Sequence, residues 1–310
     1  MKRLLIIRFS ALGDVALLVP VVRAVAEQNP ALHITMLSKQ GMADLFADMP
    51  ANVTFHGVNL KQQRLRDIVA ELGPFDLVAD MHDVWRSRYI RWAMRLKGAK
   101  VRSIRKGRLG RFLLTNKISP KALEHSILRY RDVLQSLGLD APALQTPSRT
   151  EGKGVGIAPF AAHAGKCYPL DRMEQVVAML SKRGESVVLF GSKQEAAVLE
   201  RWAKQYKGVR SEAGKHSLRE ELELMKGLRV MVTMDSANMH LASLVGTRVV
   251  SVWGATHPKA GFLGFGQEEK DCVQRALDCR PCSIYGKKKC KYGDYRCLDI
   301  APEEIIQRIG

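Results

Sequence analysis

The sequence predicts an α/β protein of two parallel-sheet domains facing across a cleft. Three observations carry that expectation. The chain has 310 residues, and a single hydrophobic core stops growing at roughly 250–300 residues. Short apolar runs alternate with longer amphipathic segments over 4–96 and again over 155–253, the pattern of strand–helix–strand units. Between the two series lies 140–154, rich in Pro, Gly, Ser and Thr, a composition suited to a linker.

The elements follow in order. In the first half, 4–7, 34–37, 53–55 and 77–79 read as strands, and 15–28, 42–47, 65–72 and 85–96 as helices. Pro20 inside the first helical run implies a kink or a late start. A further helix runs over about 123–137 and stops at Gly138, a favoured residue just past a helix end. In the second half, 155–158, 187–190, 228–234 and 249–253 are strands, and 173–180, 194–206, 218–225 and 236–245 are helices. The result is two Rossmann-like domains, 1–150 and 151–310. The second includes a Cys-rich segment, 272–297, and a C-terminal helix placed to pack back on the first domain. Ligands of such sheets sit outside the carboxyl ends of the strands. The expected active site therefore lies between 8–14 and 235–240.

Composition narrows the class. The hydrophobic fraction of 46% rules against a disordered chain. The longest apolar stretch near the start, 15–22, is bounded by Asp14 and Arg23, whereas a membrane span needs about 20 apolar residues. Arg8 and Asp14 also interrupt any signal-like core, so a cytoplasmic protein is expected. The net charge is +18, from 49 basic and 31 acidic residues, which points to an anionic partner. The segment 86–131 holds 15 Lys/Arg and one acidic residue, Glu124. So one-signed a run repels itself unless it meets an anionic surface, and it reads as a binding face.

The first loop, Arg8-Phe9-Ser10-Ala11-Leu12-Gly13-Asp14, is a strand-to-helix turn. Gly13 permits close backbone approach. The helix start offers unpaired N–H groups, and Arg8 and Ser10 add side-chain donors. Asp14 reads as a helix cap or as a general base in the cleft. There is no G-x-G-x-x-G and no Walker A motif, so neither a classical dinucleotide site nor a P-loop is supported. The second loop, Asp235-Ser236-Ala237-Asn238-Met239-His240, opens a helix whose N-terminus favours negative charge. His240 is four residues after Ser236, so both can share a face. A third loop runs from Pro159 through Ala161, Ala162 and His163 to Lys166, Cys167, Tyr168 and Pro169. Lys166 suits a diphosphate as a point charge.

With these loops in place the sequence resembles the lipopolysaccharide heptosyltransferases, the ADP-heptose transferases of glycosyltransferase family nine. The resemblance rests on Arg8-x-Ser10-x-Leu12-Gly13-Asp14, on Lys166-x-Tyr168-Pro169, on Thr233-x-Asp235-Ser236-x-x-x-His240-Leu241-Ala242 followed by Gly246-Thr247, and on Gly254-x-Thr256-x-Pro258. It implies a GT-B architecture with an acceptor-binding first domain and a donor-binding second domain. It also implies inverting transfer without a catalytic metal, from a nucleotide-sugar, ADP-heptose, to a lipopolysaccharide-core or other lipid-linked acceptor. Asp14 would be the catalytic base. Lys166, Asp235, Ser236, Ala237, His240, Ala161 and Ala162 would line the donor. Arg8, Ser10, Gly13 and Arg86 would meet the acceptor. The family often carries hydroxyl residues where Ala161 and Ala162 stand, and Gly where Ala237 stands. These departures bear on the donor sugar rather than on the reaction class. The basic 86–131 region fits a phosphorylated or Kdo-type acceptor and peripheral attachment to the cytoplasmic face of the inner membrane. A monomer with no cofactor requirement and no nucleic-acid partner is expected.

Two features stand outside that reading. Cys279-x2-Cys282-x7-Cys290-x6-Cys297 permits a structural zinc site. It permits disulfides as well, which a cytosolic location disfavours. The rival function is nucleic-acid binding through the basic run and this Cys cluster. With aromatic residues at 6% and no stacking motif, the rival leaves Asp14 and the 235–240 helix unexplained.

Overall fold

In both halves the apolar runs become parallel strands, and the computed structural model describes them for residues 2–310. The elements in chain order are β1 (Lys2–Ile7), α1 (Leu12–Ala16), α2 (Leu18–Gln28), β2 (Leu32–Lys39), β3 (Val53–Val58), α3 (Leu65–Leu72), β4 (Leu77–Asp80), α4 (Trp85–Leu96), β5 (Lys100–Ser103), α5 (Arg108–Thr115) and α6 (Ser126–Ser136). They continue with β6 (Val155–Ala158), α7 (Leu170–Lys182), β7 (Val187–Leu189), α8 (Ala196–Gln205), β8 (Val209–Ser211), α9 (Leu218–Lys226), β9 (Val230–Met234), α10 (Ala237–Leu244), β10 (Arg248–Trp253), β11 (Cys272–Gln274) and α11 (Pro302–Ile309).

The chain forms two compact units, 2–106 with 126–145 and 107–125 with 146–310. The first unit has a five-stranded sheet in the order β3-β2-β1-β4-β5, every pair parallel. Its central strand β1 carries Leu4, Leu5, Ile6 and Ile7, all fully buried, because helices cover both faces of a parallel sheet. The second unit has six parallel strands in the order β11-β10-β9-β6-β7-β8. Counted from β6, that is the Rossmann order 3-2-1-4-5-6 read backwards. Its core joins Val155, Ile157, Val230 and Val232 of the sheet to Met173, Val176 and Val177 of α7. In each sheet the strand order reverses next to the first strand, between β1 and β4 and between β6 and β9. Those are the topological switch points, where such folds bind ligands.

Several expectations are corrected. The helix expected over 15–28 starts earlier and breaks at Leu17, giving α1 and α2. Pro20 then falls in the first turn of α2, where its missing N–H costs no helical bond. The helix expected over 42–47 is a 3-10 segment, Gln40–Phe46. The segment 107–125, placed by sequence in the first domain, belongs to the second unit. Polar anchors hold it there: Leu123 N–H donates to the Lys259 carbonyl at 2.8 Å, His125 Nε2 meets the Leu263 carbonyl at 2.6 Å, and Lys117 Nζ donates to Pro281 O at 2.5 Å. The C-terminal helix α11 packs on the core of the second unit. Ile305, Ile306 and Ile309 form one apolar stripe in the second core, and the Ile309 carbonyl accepts from Arg229 and Arg248.

Candidate active site

At the first switch point β1 and β4 run side by side, with Ile7 level with Asp80. The loops that leave their carboxyl ends are therefore neighbours. Asp14 sits in the first turn of α1, half-buried, and Arg8 Nη2 pairs with its Oδ2 at 2.7 Å. The Ala11 N–H donates to the same oxygen at 3.3 Å, so Asp14 does cap its helix. The other carboxylate oxygen, Oδ1, meets the Tyr130 hydroxyl of α6 at 3.5 Å. Tyr130 is almost wholly buried, and burial pushes its hydroxyl well above the ordinary range. The Arg8 guanidinium lies 5.4 Å over the Tyr130 ring and donates from Nη1 to the Met81 carbonyl. Arg8 is thus held between the two loops and presents Asp14 in one orientation.

His82 completes this cluster from the loop after β4. The Phe9 N–H donates to Nδ1 at 3.5 Å, so the ring proton sits on Nε2, 3.5 Å from Ser10 Oγ. Burial, and then the Arg8 charge, lower the His82 pKa to about 4. His82 is neutral near pH 7 and its contacts hold the 8–14 loop. Its folded pKa lies below the unfolded value of about 6.5. Its contribution to stability is therefore complete above pH 6.5 and is lost as pH falls toward 4. Thermal melts between those limits are expected to show a smaller acid-induced fall for His82→Gln than for the wild type. Equal falls would remove His82 as a contributor.

Asp80 stabilises the same edge from beneath. Fully buried, it accepts from the His82 and Asp83 backbone N–H groups at 3.0 and 2.8 Å. Ser87 Oγ donates to it at 3.1 Å, and Arg91 pairs with it at 3.2 Å. Gly13 is buried inside α1. The Arg86 guanidinium lies 5.0 Å over the Trp85 ring on α4.

The second unit repeats the geometry with different chemistry. β6 and β9 are adjacent, with Ala158 level with Thr233. Lys166, in the 3-10 turn after β6, reaches Asp235 after β9: Nζ and Oδ2 are 2.8 Å apart. Asp235 retains only 5% side-chain exposure and Lys166 16%, so this pair is largely desolvated. Ser236 is the N-cap residue of α10, and its Oγ lies 3.1 Å from Thr233 Oγ1. Ala237 begins the helix, and His240 lies one turn along it, half-buried. Ala161 is half-buried and Ala162 exposed, and the Ala161 carbonyl accepts from Cys167 Sγ at 3.1 Å.

Two glycines let the loop after β10 and the Cys-rich segment close on Lys166. A Cβ on Gly254 would stand 2.4 Å from the Gly165 carbonyl oxygen. Gly286, at φ +75°, leaves 2.7 Å between its hypothetical Cβ and Lys166 Cγ. Arg280, buried, ties these layers by donating to the carbonyls of Trp253, Gly254 and Thr256. This gives the Cys-rich segment a positioning task that needs no cysteine. All six cysteines are unpaired, and burial raises Cys272 and Cys297 to about 11. Among the described residues no three His, Cys, Asp or Glu are gathered as a metal-holding group.

The sequence reading brought Arg8, Ser10 and Asp14 together, and Lys166 with Asp235. It missed Tyr130 and His82. His82 carried a signal: it follows the strand next to β1, at the same edge. Tyr130 carried none, being reached only through the packing of α6.

The model of glycosyltransferase family 9 (heptosyltransferase) matches residues 68–294. The chain belongs to this family. It is therefore a glycosyltransferase. The match takes in Lys166, Asp235, Ser236 and His240, while Asp14 lies ahead of it. Among curated proteins, this family 9 chain is 24% identical over 276 residues to lipopolysaccharide heptosyltransferase 3 of Escherichia coli, covering 79% of the chain and 80% of that protein. It is 24% identical to lipopolysaccharide heptosyltransferase 1 of Pseudomonas aeruginosa, over 98% of the chain and 93% of that protein. Among solved structures, a family 9 glycosyltransferase of Veillonella parvula superposes with a TM-score of 0.75 at 19% identity, covering 99% and 96% of the two chains. ADP-heptose lipopolysaccharide heptosyltransferase II of E. coli gives 0.71 at 19% identity, covering 100% and 97%. The fold is thus that of the heptosyltransferases, two Rossmann-like domains of the GT-B class.

Proposed function

We propose that this enzyme transfers a heptose, with inversion, from ADP-heptose to a lipopolysaccharide-core or similar lipid-linked acceptor. The observation that carries the reading is Asp14, oriented by Arg8 and Tyr130 at the switch point of the first unit. The acceptor hydroxyl oxygen attacks the anomeric carbon of the donor sugar while its proton passes to the Asp14 carboxylate. The bond from that carbon to the diphosphate oxygen breaks, and ADP leaves with the electron pair. Lys166 and the N–H groups opening α10 meet the charge on the leaving diphosphate. His240, Ser236 and Ala237 line the donor sugar and phosphates, with Ala161 and Ala162 on the facing loop. Arg8, Ser10, Gly13 and Arg86 serve the acceptor.

The E. coli and P. aeruginosa relatives, both named for lipopolysaccharide, support that acceptor class. The E. coli fold neighbour, named for ADP-heptose, supports the donor. The basic 86–131 segment supports an anionic acceptor held at the cytoplasmic face of the inner membrane. Among the described residues no helix is long and apolar enough to cross a membrane, which fits peripheral attachment. The reading takes the enzyme as a monomer and asks for no cofactor. Ala161, Ala162 and Ala237 favour one variant of it, transfer of a different sugar from a related nucleotide-sugar, since they remove hydroxyls or add bulk at the donor.

The test offers the purified enzyme ADP-heptose and other nucleotide-sugars with a Kdo-containing acceptor and measures glycosylated product. Turnover is expected with ADP-heptose. Turnover with another nucleotide-sugar alone would replace the donor, and none with any would sink the reading.

A further inference from the structure

Helix α4 is apolar on two opposite sides, and only one of them is used by the fold. Ile90 and Met94 are fully buried in the core of the first unit. On the far side Trp85, Tyr89, Trp92 and Leu96 are 66%, 39%, 57% and 68% exposed. At 100° per residue these four fall within about 60° of one another around the helix axis, so they make a single stripe. Tyr89 and Trp92 touch ring to ring, with centroids 6.3 Å apart. A soluble helix ordinarily turns charge toward water on that side. Scattered exposed apolar residues need no explanation, but a contiguous aromatic row does.

Charge says what would cover it. α4 contains no acidic residue. Arg88 and Arg95 flank the stripe on one side, Arg86 and Lys97 on the other. The Arg86 guanidinium stacks 5.0 Å over Trp85, as in aromatic–cation pairs at a wet boundary. A second copy of the chain would bring the same cationic border against itself. An acidic surface with an apolar layer beneath suits both parts, and that is the make-up of an anionic lipid bilayer. Trp and Tyr favour the headgroup level because their rings are apolar with one polar edge. Basic side chains at that level meet lipid phosphates.

We propose that the Trp85–Tyr89–Trp92–Leu96 stripe of α4 docks the enzyme, lying in the interface plane, onto an anionic bilayer. The lipid-linked acceptor reading supplies the purpose of this docking, while the docking itself stands on the stripe. None of the four stripe residues is among those proposed to bind or react at Asp14.

The test is flotation with phosphatidylglycerol–phosphatidylethanolamine vesicles and with phosphatidylcholine vesicles, for the wild type and for Tyr89→Ser/Trp92→Ser. The wild type is expected to float with the anionic vesicles, less so as salt rises, and weakly with the neutral ones. The double variant is expected to lose about tenfold or more in partitioning, with an unchanged melting temperature because both rings are exposed. Its transfer to a soluble acceptor sugar stays as in the wild type, while transfer to a vesicle-embedded acceptor falls. Equal flotation of variant and wild type overturns the proposal, as does a wild-type dimer that the substitutions dissociate. If flotation behaves as expected and no nucleotide-sugar is consumed, the docking stands and the transfer reading fails.

Discussion

Asp14→Asn is expected to lower kcat by about 10²–10⁴, the range a positioned general base contributes. The substitution keeps the shape of the side chain and its capping of α1, but removes the negative charge that would take the acceptor's proton. ADP affinity is expected to stay within a factor of two or so, because Lys166 and Asp235, the residues proposed to meet the donor, belong to the other unit. Arg8 loses an ionic partner at 2.7 Å yet keeps the Met81 carbonyl, so a modest drop in melting temperature is anticipated. Steady-state kinetics beside calorimetric ADP titration separate the two effects. Near-normal turnover of the variant would show that Asp14 is only a helix cap.

Lys166→Ala should have the second-largest effect, and it should act twice. ADP binding is expected to weaken at least about tenfold, the loss that follows if the proposed charge-assisted contact of Lys166 to phosphate is removed. Stability should fall as well. Asp235 would be left at 5% exposure without its cation, and breaking a buried pair costs about 3–5 kcal/mol. Lys166 keeps 16% exposure, which places the expected cost near the lower end. A second substitution distinguishes the two losses: Lys166→Ala with Asp235→Ala should recover much of the stability while ADP affinity stays weak. ADP affinity unchanged in the single variant would remove Lys166 from the donor site.

How much of this was readable in advance depends on burial. β1, β6 and β10 announced themselves because strands buried on both faces are continuous apolar runs, and their ends fixed where Arg8, Lys166 and Gly254 would emerge. β5 reads Lys-Val-Arg-Ser with alternating exposure and lies at a sheet edge, so it has no such run. β8 and β11 are three residues each, too short for periodicity. α5 lies inside the basic segment, and its Arg108, Gly110 and Arg111 break up the apolar positions Leu109, Phe112 and Leu114. Within the sites, the residues legible from sequence are those beside their partners or at strand ends. Tyr130 stands 116 residues from Asp14 and comes close only through the packing of α6; His82 stands 72 from Ser10 and comes close only through the pairing of β1 with β4.

The assignment of 107–125 to the second unit has a consequence for how this polypeptide can be cut. The backbone passes from one unit to the other three times, after 106, after 125 and after 145, not once through a single tether. A protease nick in the Pro- and Ser-containing stretch near 146–150 therefore leaves two chains held together through the non-covalent seating of 107–125 against Lys259, Leu263 and Pro281. A gene split at the same place yields an N-terminal product that ends by carrying 107–125 away from Lys259, Leu263 and Pro281, the groups that anchor it. The complementary fragment would then expose those carbonyls and the surface around them. Separate halves of this enzyme are thus not autonomous parts, and dissecting donor from acceptor binding calls for point substitutions in the intact chain.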